Sequence, residues 1–466
     1  MPAAGVLRMS AWKACDLRGI FPAEVNAEMF REIGRSAPVL LPPSARVVVA
    51  GDFRLSTPEL KSALISGLVD AGASVIDAGQ APTPVAYFAH RHWGADAILI
   101  VTASHSPAQH NGLKAMLGYL PPTEEDLRQL RASVEKGGAP LPGAVGSLER
   151  RDPLPLYLEW IEERWRHLKR RRTLRLVLDA GNGAWAELAA PIFEKLGFAV
   201  DRLFCEIDGS FPNRPPDCSR PANLASLRSA VRANGADVGI AWDGDGDRVA
   251  FIDNLANFVS ADEIAMLLAR KLLAGRPGEK VAYDLKLSEV FRKIVFEMGG
   301  TPLMERSGHT FLKRRVISDH CLLGCEISGH YFFRELQGGD DGVFAALCLL
   351  ELLQDGRSLA ELRRELPRIY ITPDLRLPVG AGVDDSIIHR LRAAVRPREE
   401  TAIDGIRMET NDGFILVRRS VTEPAVTIRI EGLTEHSLES LVKLCSAALP
   451  EFSQAISEQV SQEGMR

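Results

Sequence analysis

Three times along the chain, apolar runs of strand length alternate with stretches of helical period, and each time the last strand stops in a polar, unusual sequence. Ala45 to Ala50 reads as a strand and about Pro58 to Asp70 as a helix, with an apolar stripe at Leu60, Leu64 and Leu68. The strand Ser74 to Asp77, a helix near Val85 to Trp93 and the strand Ala97 to Val101 complete the first unit. In the second, strands Leu174 to Asp179, Ala199 to Cys205 and Val238 to Trp242 flank helices near Trp185 to Leu196 and Leu224 to Asn234. In the third, strands Lys280 to Asp284, Pro302 to Glu305 and Cys321 to Cys325 flank helices near Ser288 to Met298 and Phe311 to Ile317. Such alternation predicts three similar α/β units with mainly parallel mixed sheets, although no clear residue-level repeat accompanies it. Their last strands run into Thr102-Ala-Ser-His-Ser-Pro107, Asp243-Gly-Asp-Gly-Asp-Arg248 and Glu326-Ile-Ser-Gly-His330. Open α/β sheets bind ligands beyond the carboxyl ends of their strands, so these three ends are expected to meet in one central cleft.

Beyond about residue 370 the character changes to strand-like runs, Ile369 to Thr372, Phe414 to Val417 and Ala425 to Ile430, before a helix near Leu438 to Ala448. A C-terminal α+β domain is expected there. The 466 residues suit such a division, since domains average about 150 residues. The expected boundaries are 1–150, 151–256, 257–368 and 369–466.

Composition removes several classes of function. With 56 Lys and Arg against 61 Asp and Glu, the net charge of -5 offers no global positive field for nucleic acid, so an anionic small molecule would need local basic sites. The run Lys169-Arg-Arg-Arg172 reads as a solvated helix end or linker. No apolar run approaches the roughly 18 residues that span a bilayer, and Met1 to Arg8 does not resemble a signal peptide, so no membrane partner and a cytoplasmic location are expected. Seven cysteines without dense spacing argue against a disulfide framework. Cys321 and Cys325 are expected to pack on one buried strand face.

The loop Asp243 to Arg248 places three carboxylates at alternate positions on a glycine-relaxed turn, an arrangement suited to one hard cation such as Mg²⁺. A calcium-loop reading fails twice, because Arg248 stands where the EF-hand needs glycine and Asn254 where it needs glutamate. Arg248 beside a metal loop suggests an anionic ligand bridging the two, as a phosphate would. Ser104 sits past the first unit's last strand, followed by Asn111-Gly112 and Lys114; taken alone it is as well read as a strand-end residue, and it lacks the Gly-x-Ser-x-Gly elbow of serine hydrolases. Glu326 to His330 suits sugar hydroxyls or is a plain polar turn. Arg418 to Thr422 suits a phosphate or is an exposed strand end.

The order and spacing of these segments resemble the α-D-phosphohexomutase superfamily, most closely its bacterial phosphomannomutase/phosphoglucomutase branch. The resemblance runs through Asp16-Leu-Arg-Gly-Ile20, Thr102-Ala-Ser-His105, Asn111-Gly-Leu-Lys114, Asp208-Gly-Ser-Phe-Pro-Asn213 and the aspartate loop. It continues through Ser307-Gly-His309, Glu326 to His330, Gly339-Asp-Asp-Gly342 and Arg418-Arg-Ser-Val-Thr-Glu-Pro424. It implies a phosphosugar substrate and a Ser104 that carries a phosphoryl group, exchanged with a hexose phosphate through a hexose 1,6-bisphosphate that is both activator and intermediate. It further implies Mg²⁺ held by Ser104, Asp243, Asp245 and Asp247, with Lys114, Arg248 and His330 in catalytic roles. Arg18, Lys286, His309, Glu326, Ser328, His330, Arg418, Ser420 and Thr422 would bind substrate. Sequence gives no oligomeric state.

Some positions depart from the pattern: Cys15 replaces a common Tyr, Ser106 a common Asn, Val421 a common Asn or Gly, and Gly51-Asp52 a more usual Arg-Asp. None removes the nucleophile, a metal ligand or Arg418. Ile327 resembles the Met of the mannose and glucose enzymes more than the Gln of phosphoglucosamine mutases, and so favours mannose or glucose. A glucosamine enzyme, a Mg²⁺-dependent sugar phosphatase and a non-catalytic sugar-phosphate binder are the alternatives.

Overall fold

The computed structural model describes residues 11–14, 16–137, 146–379, 384–419 and 425–463. The N-terminal sheet contains β1 (Leu17–Ile20), β2 (Arg46–Gly51), β3 (Ser74–Gln80), β4 (Ala97–Val101), β5 (His110–Leu117) and β6 (Ser147–Arg150), in the order β1-β5-β4-β2-β3-β6. The stripe Leu60, Leu64 and Leu68 is buried on the helix Thr57–Asp70, as its spacing predicts, and Pro58 opens that helix where a missing N–H costs nothing. The second sheet holds β7 (Arg175–Asp179), β8 (Ala199–Leu203), β9 (Val238–Trp242), β10 (Val249–Asp253) and β11 (Phe258–Val259), ordered β11-β10-β9-β7-β8. The third holds β12 (Lys280–Asp284), β13 (Thr301–Glu305), β14 (Leu323–Cys325), β15 (Tyr331–Phe333) and β16 (Gly339–Asp340), ordered β13-β12-β14-β15-β16.

One device recurs in all three sheets. A parallel strand buried at mid-sheet turns back into an antiparallel neighbour: β4 into β5, β9 into β10, β14 into β15. The connecting loops are the three polar sequences singled out above. Because each loop is tied to a strand on either side, its position relative to the sheet end is fixed, which a free βα connection would not ensure.

A single apolar cluster joins the second and third units and reaches into the first through Ala81 and Val85, with Trp165, Trp185 and Trp242 buried in it. The fourth sheet is antiparallel: β17 (Tyr370–Ile371), β18 (Leu375–Pro378), β19 (Glu399–Thr401), β20 (Ile406–Glu409), β21 (Gly413–Arg419) and β22 (Ala425–Gly432). It has its own core and meets the third unit through a small cluster of Leu285, Ile371, Phe414 and Leu416. There Arg407, fully buried, donates to the Leu285 carbonyl at 2.8 Å and lies 3.5 Å over the Phe414 ring.

Two expectations are corrected. The helix expected from Trp185 begins at Ala189, because Trp185 is drawn into the neighbouring loop, where its indole N–H donates to the Gly246 carbonyl at 2.8 Å. Cys321 precedes β14 and packs with Leu312, Val316 and Phe332, whereas Cys325 joins the larger cluster, so the two do not share a face. The basic run is the end of a short 3₁₀ helix, Arg166–Arg170, where Lys169 pairs with Glu162 and, just beyond, Arg172 with Asp237. Among the described residues no helix is long and apolar enough to cross a membrane.

Candidate active site

Ser104 lies in the loop between β4 and β5 with φ of 50°, the left-handed region that a non-glycine residue enters only under constraint. Its amide donates to the Thr102 hydroxyl at 2.9 Å and its own hydroxyl to Asp243 at 2.8 Å, so the side chain crosses from the first unit to the loop of the second. The contact demands a small residue on the other side: a Cβ at Gly244 would stand 2.5 Å from the Ser104 carbonyl oxygen.

Asp243, Asp245 and Asp247 are buried and offer carboxylate oxygens all within 4.8 Å of one another. Asp243 is fixed through Oδ1, which accepts from the amides of Gly246 at 3.0 Å and Arg248 at 3.1 Å. Asp245 accepts from the Thr83 hydroxyl at 2.8 Å and from Lys114 Nζ at 2.7 Å; Lys114, on β5 opposite Ile100, also donates to Asp247. Burial and the neighbouring Asp245 and Asp247 push Asp243 up to about 7. Burial also acts to raise Asp245, but the Lys114 ammonium overcomes it and holds that carboxyl below its ordinary range. Lys114 is in turn held well above its ordinary value: burial opposes its charge, and Asp245 and Asp247 prevail. Oδ1 of Asp245 and Oδ1 of Asp247 are buried without a hydrogen-bond partner among the described residues. Close, buried, mutually repelling carboxylates with lone pairs to spare fit a divalent cation.

The third loop lies directly against this cluster. Gly329, at φ of 94°, lets its carbonyl accept from the Val249 amide at 3.1 Å, and a Cβ there would lie 2.8 Å from the Val249 oxygen. Arg248 Nε donates to His330 Nε2 at 2.9 Å, which leaves the ring's Nδ1 to carry hydrogen, 2.9 Å from Asp340 and 3.6 Å from Asp247. Burial disfavours the charged ring, but Asp247 and Asp340 raise His330 above its ordinary value. His309 stacks on His330 at 5.7 Å between centroids and is kept neutral, first by burial and then by Lys114. Glu326 is buried and raised by that burial; among the described residues its Oε2 and the Ser328 hydroxyl have no hydrogen-bond partner. Arg18 reaches the same region, donating to Ser106 at 3.2 Å and to Asp16 at 2.7 Å.

Thus Ser104, Lys114, Asp243, Asp245, Asp247, Arg248, His309, His330, Glu326 and Arg18 gather around three adjoining loops. Lys286 borders them, its charge acting to lower the Glu326 carboxyl, whereas Arg418 belongs to the fourth sheet. Lys286 pairs with Asp374 at 2.5 Å and Arg418 with Asp404 at 2.5 Å. Both also act on Asp374, where burial is outweighed by Lys286, Arg429 and Arg418 and the carboxyl is held down. Ser420, Thr422, Val421 and Cys15 lie outside the described residues.

Sequence models of known families match this arrangement unit by unit. Residues 10–139, 155–256 and 260–370 match phosphoglucomutase/phosphomannomutase α/β/α domains I, II and III respectively. The phosphomannomutase/phosphoglucomutase of Pseudomonas aeruginosa is 36% identical over 444 residues, 94% of this chain and 95% of that one. The chain belongs to the phosphoglucomutase/phosphomannomutase family. A phosphoglucomutase of Neisseria gonorrhoeae is likewise 36% identical, over 92% of this chain and 94% of its own. A crystal structure of a phosphoglucomutase/phosphomannomutase family protein from Burkholderia thailandensis superposes with a TM-score of 0.85 at 35% identity, covering 95% of this chain and 98% of that one.

In this member of the phosphoglucomutase/phosphomannomutase family, several residues bearing on the site escape a reading of motifs. Thr83 bonds to Asp245 from the start of a helix in the first unit. Lys313 pairs with Asp340 at 2.7 Å and sits 3.6 Å over the Tyr87 ring. Arg54 binds the backbone of the serine loop. Only Asp340 had a signal, within Gly339-Asp-Asp-Gly342; the others act from helices and connections whose sequences are ordinary.

Proposed function

We infer that the chain is a hexose-phosphate mutase, interconverting 1-phosphates and 6-phosphates of mannose, glucose or both through a phosphorylated Ser104 and a bound 1,6-bisphosphate. The observation that carries this reading is the Ser104 hydroxyl set 2.8 Å from Asp243, at the edge of a buried three-carboxylate cluster. A serine held against a carboxylate cluster by its backbone conformation suits in-line phosphoryl transfer, where positioning and charge stabilisation do most of the catalysis.

Asp243, Asp245, Asp247 and the Ser104 oxygen would hold Mg²⁺, which when bound supplies Lewis-acid stabilisation of the charge on a transferring phosphoryl group. The remaining residues divide the work by charge. Lys114 and Arg248 are cations beside the serine and stabilise the phosphoryl oxygens. The serine's oxygen–phosphorus bond breaks as a sugar hydroxyl bonds to phosphorus, and the hydroxyl proton passes to a nearby base. His309, neutral, can accept it; His330 and Lys114 are the other proton carriers of the reading. Glu326 and Ser328, with polar atoms that have no partner among the described residues, bind sugar hydroxyls. Arg418, Ser420 and Thr422 hold the phosphate that is not reacting, which adds binding energy remote from the chemistry, and Arg18 and Lys286 line the same cleft.

The units bounded as 1–150, 151–256, 257–368 and 369–466 enclose one cleft in this reading, and movement of the last would exclude water from the phosphoserine. Identical scattering profiles with and without a hexose bisphosphate would refute that closure. We place the enzyme in the cytoplasm. The decisive assay supplies Mg²⁺, glucose 1-phosphate or mannose 1-phosphate and a trace of the matching 1,6-bisphosphate, with glucosamine phosphates alongside. The 6-phosphate of glucose or mannose is expected; free phosphate would indicate a phosphatase, no turnover a binder, and preference for the amino sugar a glucosamine mutase.

A further inference from the structure

Arg54 is among the largest fully buried side chains of the protein, yet it lies outside the cation set that the mechanism uses. A guanidinium carries five N–H groups, and a buried one is costly unless all are matched. Here all five have acceptors. Nη2 donates to the carbonyls of Ser104 at 2.7 Å and Ser106 at 2.6 Å. Nη1 donates to those of Pro107 at 2.7 Å and His110 at 3.1 Å, and Nε to Asp52 at 3.1 Å. Four of the five acceptors are therefore main-chain oxygens of the loop that carries the nucleophile and of His110, where β5 begins.

Asp52 fixes the guanidinium in turn. It accepts from the Arg54 amide at 3.0 Å, from the Thr57 hydroxyl at 2.7 Å and from the Thr102 hydroxyl at 2.7 Å, and that last hydroxyl receives the Ser104 amide. The left-handed backbone at Ser104 is thus gripped from both sides, amide by Thr102 and carbonyl by Arg54. On its far side the guanidinium lies 5.0 Å from the Phe211 ring, so the second unit packs on the same group.

We propose that Arg54 is a positioning residue for the phosphoryl-carrying serine, holding Ser104 in the conformation that sets its hydroxyl against Asp243. The proposal rests on the reading of Ser104 as the phosphoryl carrier. The guanidinium's hydrogen bonds go to loop carbonyls and Asp52 and none to the Ser104 hydroxyl, so it acts through the loop's backbone. Lysine would keep the charge but has three donors and no planar fork, so it cannot hold four carbonyls at once.

The test uses the full chain with Mg²⁺ and glucose 1,6-bisphosphate, following the appearance of phosphate on Ser104 by rapid quench and peptide mass, beside steady-state turnover. In Arg54→Lys the phosphorylation rate and kcat are expected to fall together by about 100-fold, the scale of a 1 Å misplacement, while KM for glucose 1-phosphate stays within about threefold. Free guanidinium at concentrations well below denaturing should restore part of the rate to Arg54→Ala and none to wild type. A phosphorylation rate within about threefold of wild type in Arg54→Lys, or a fall in kcat matched by the fall in folded protein, overturns the proposal. Should Arg54→Lys not fold, Asp52→Asn, which frees the guanidinium from its anchor, is expected to give the same split at about tenfold; equal losses in binding and turnover overturn it. If wild-type Ser104 takes up no phosphate at all, it is the phosphoserine reading that fails.

Discussion

Replacing Gly244 by alanine tests the closeness of the serine and metal loops without touching a functional group. Gly244 is not among the positive-φ glycines, so alanine meets no left-handed strain there and the new methyl is what acts. That carbon would stand 2.5 Å from the Ser104 carbonyl oxygen and 3.1 Å from Pro216 Cβ. Carbon and oxygen approach to about 3.3 Å, so the two loops must part by about 0.8 Å. Added in full to the 2.8 Å between the Ser104 hydroxyl and Asp243, this gives about 3.6 Å, beyond hydrogen-bond range. A displacement of that size in a positioned nucleophile is expected to lower kcat by about 100-fold, or about 2.7 kcal/mol of barrier. The overpacking itself should cost about 1–3 kcal/mol of stability, leaving the protein folded. A coupled assay for glucose 6-phosphate gives kcat and KM, and thermal melting gives the stability. Turnover within about threefold of wild type, with the protein folded, would refute the view that the two loops must meet this closely. Gly246→Ala is the contrast, since its φ of 84° and a Trp185 ring atom 2.4 Å away add strain to the clash, and a larger fall in melting temperature is expected.

Ser104→Ala should abolish nearly all turnover and Ser106→Ala only part of it, judged by kcat; the reverse order would move the nucleophile. Asp340→Ala strands the buried Lys313 ammonium and should cost about 3–5 kcal/mol by denaturant unfolding, whereas Lys313→Met should cost less because Asp340 keeps His330 at 2.9 Å. Glu431, buried where the third and fourth units meet, is pushed up to about 7, by burial and then by Asp262. The folded protein therefore holds a proton that the unfolded chain, with an ordinary carboxyl near 4.5, releases earlier, so stability falls as pH rises through that window. The loss is about 3 kcal/mol by pH 7, and in Glu431→Gln the melting temperature should lose most of that pH slope.

Much of this was legible in the sequence because parallel strands buried on both faces leave long apolar runs. Strands such as Ala97–Val101 follow directly from that pattern, and the stripe on Thr57–Asp70 from its helical spacing. The strands β1 and β5 were hidden, since Leu17-Arg-Gly-Ile20 is short and His110 to Leu117 mixes functional polar residues with apolar ones. The candidate site was legible where it lies in contiguous loops, as with Asp243 to Arg248. It was not where one residue reaches in from a distant element: Thr83, Lys313 and Arg54 owe their place to the tertiary fold, and nothing adjacent in sequence marks them. Trp185 shows the converse case, a residue of good helical spacing taken out of its helix by the Gly246 carbonyl.

The central claim, that Ser104 relays the phosphoryl group, is tested most directly by labelling. The enzyme with Mg²⁺ is loaded from glucose 1,6-bisphosphate carrying labelled phosphate, freed of excess, digested and mapped, and a second portion is chased with unlabelled glucose 1-phosphate. The account predicts the label on the peptide containing Ser104, and its transfer to sugar phosphate at a rate no slower than kcat. Label on another residue, or full turnover by an enzyme that never carries phosphate on Ser104, would contradict it.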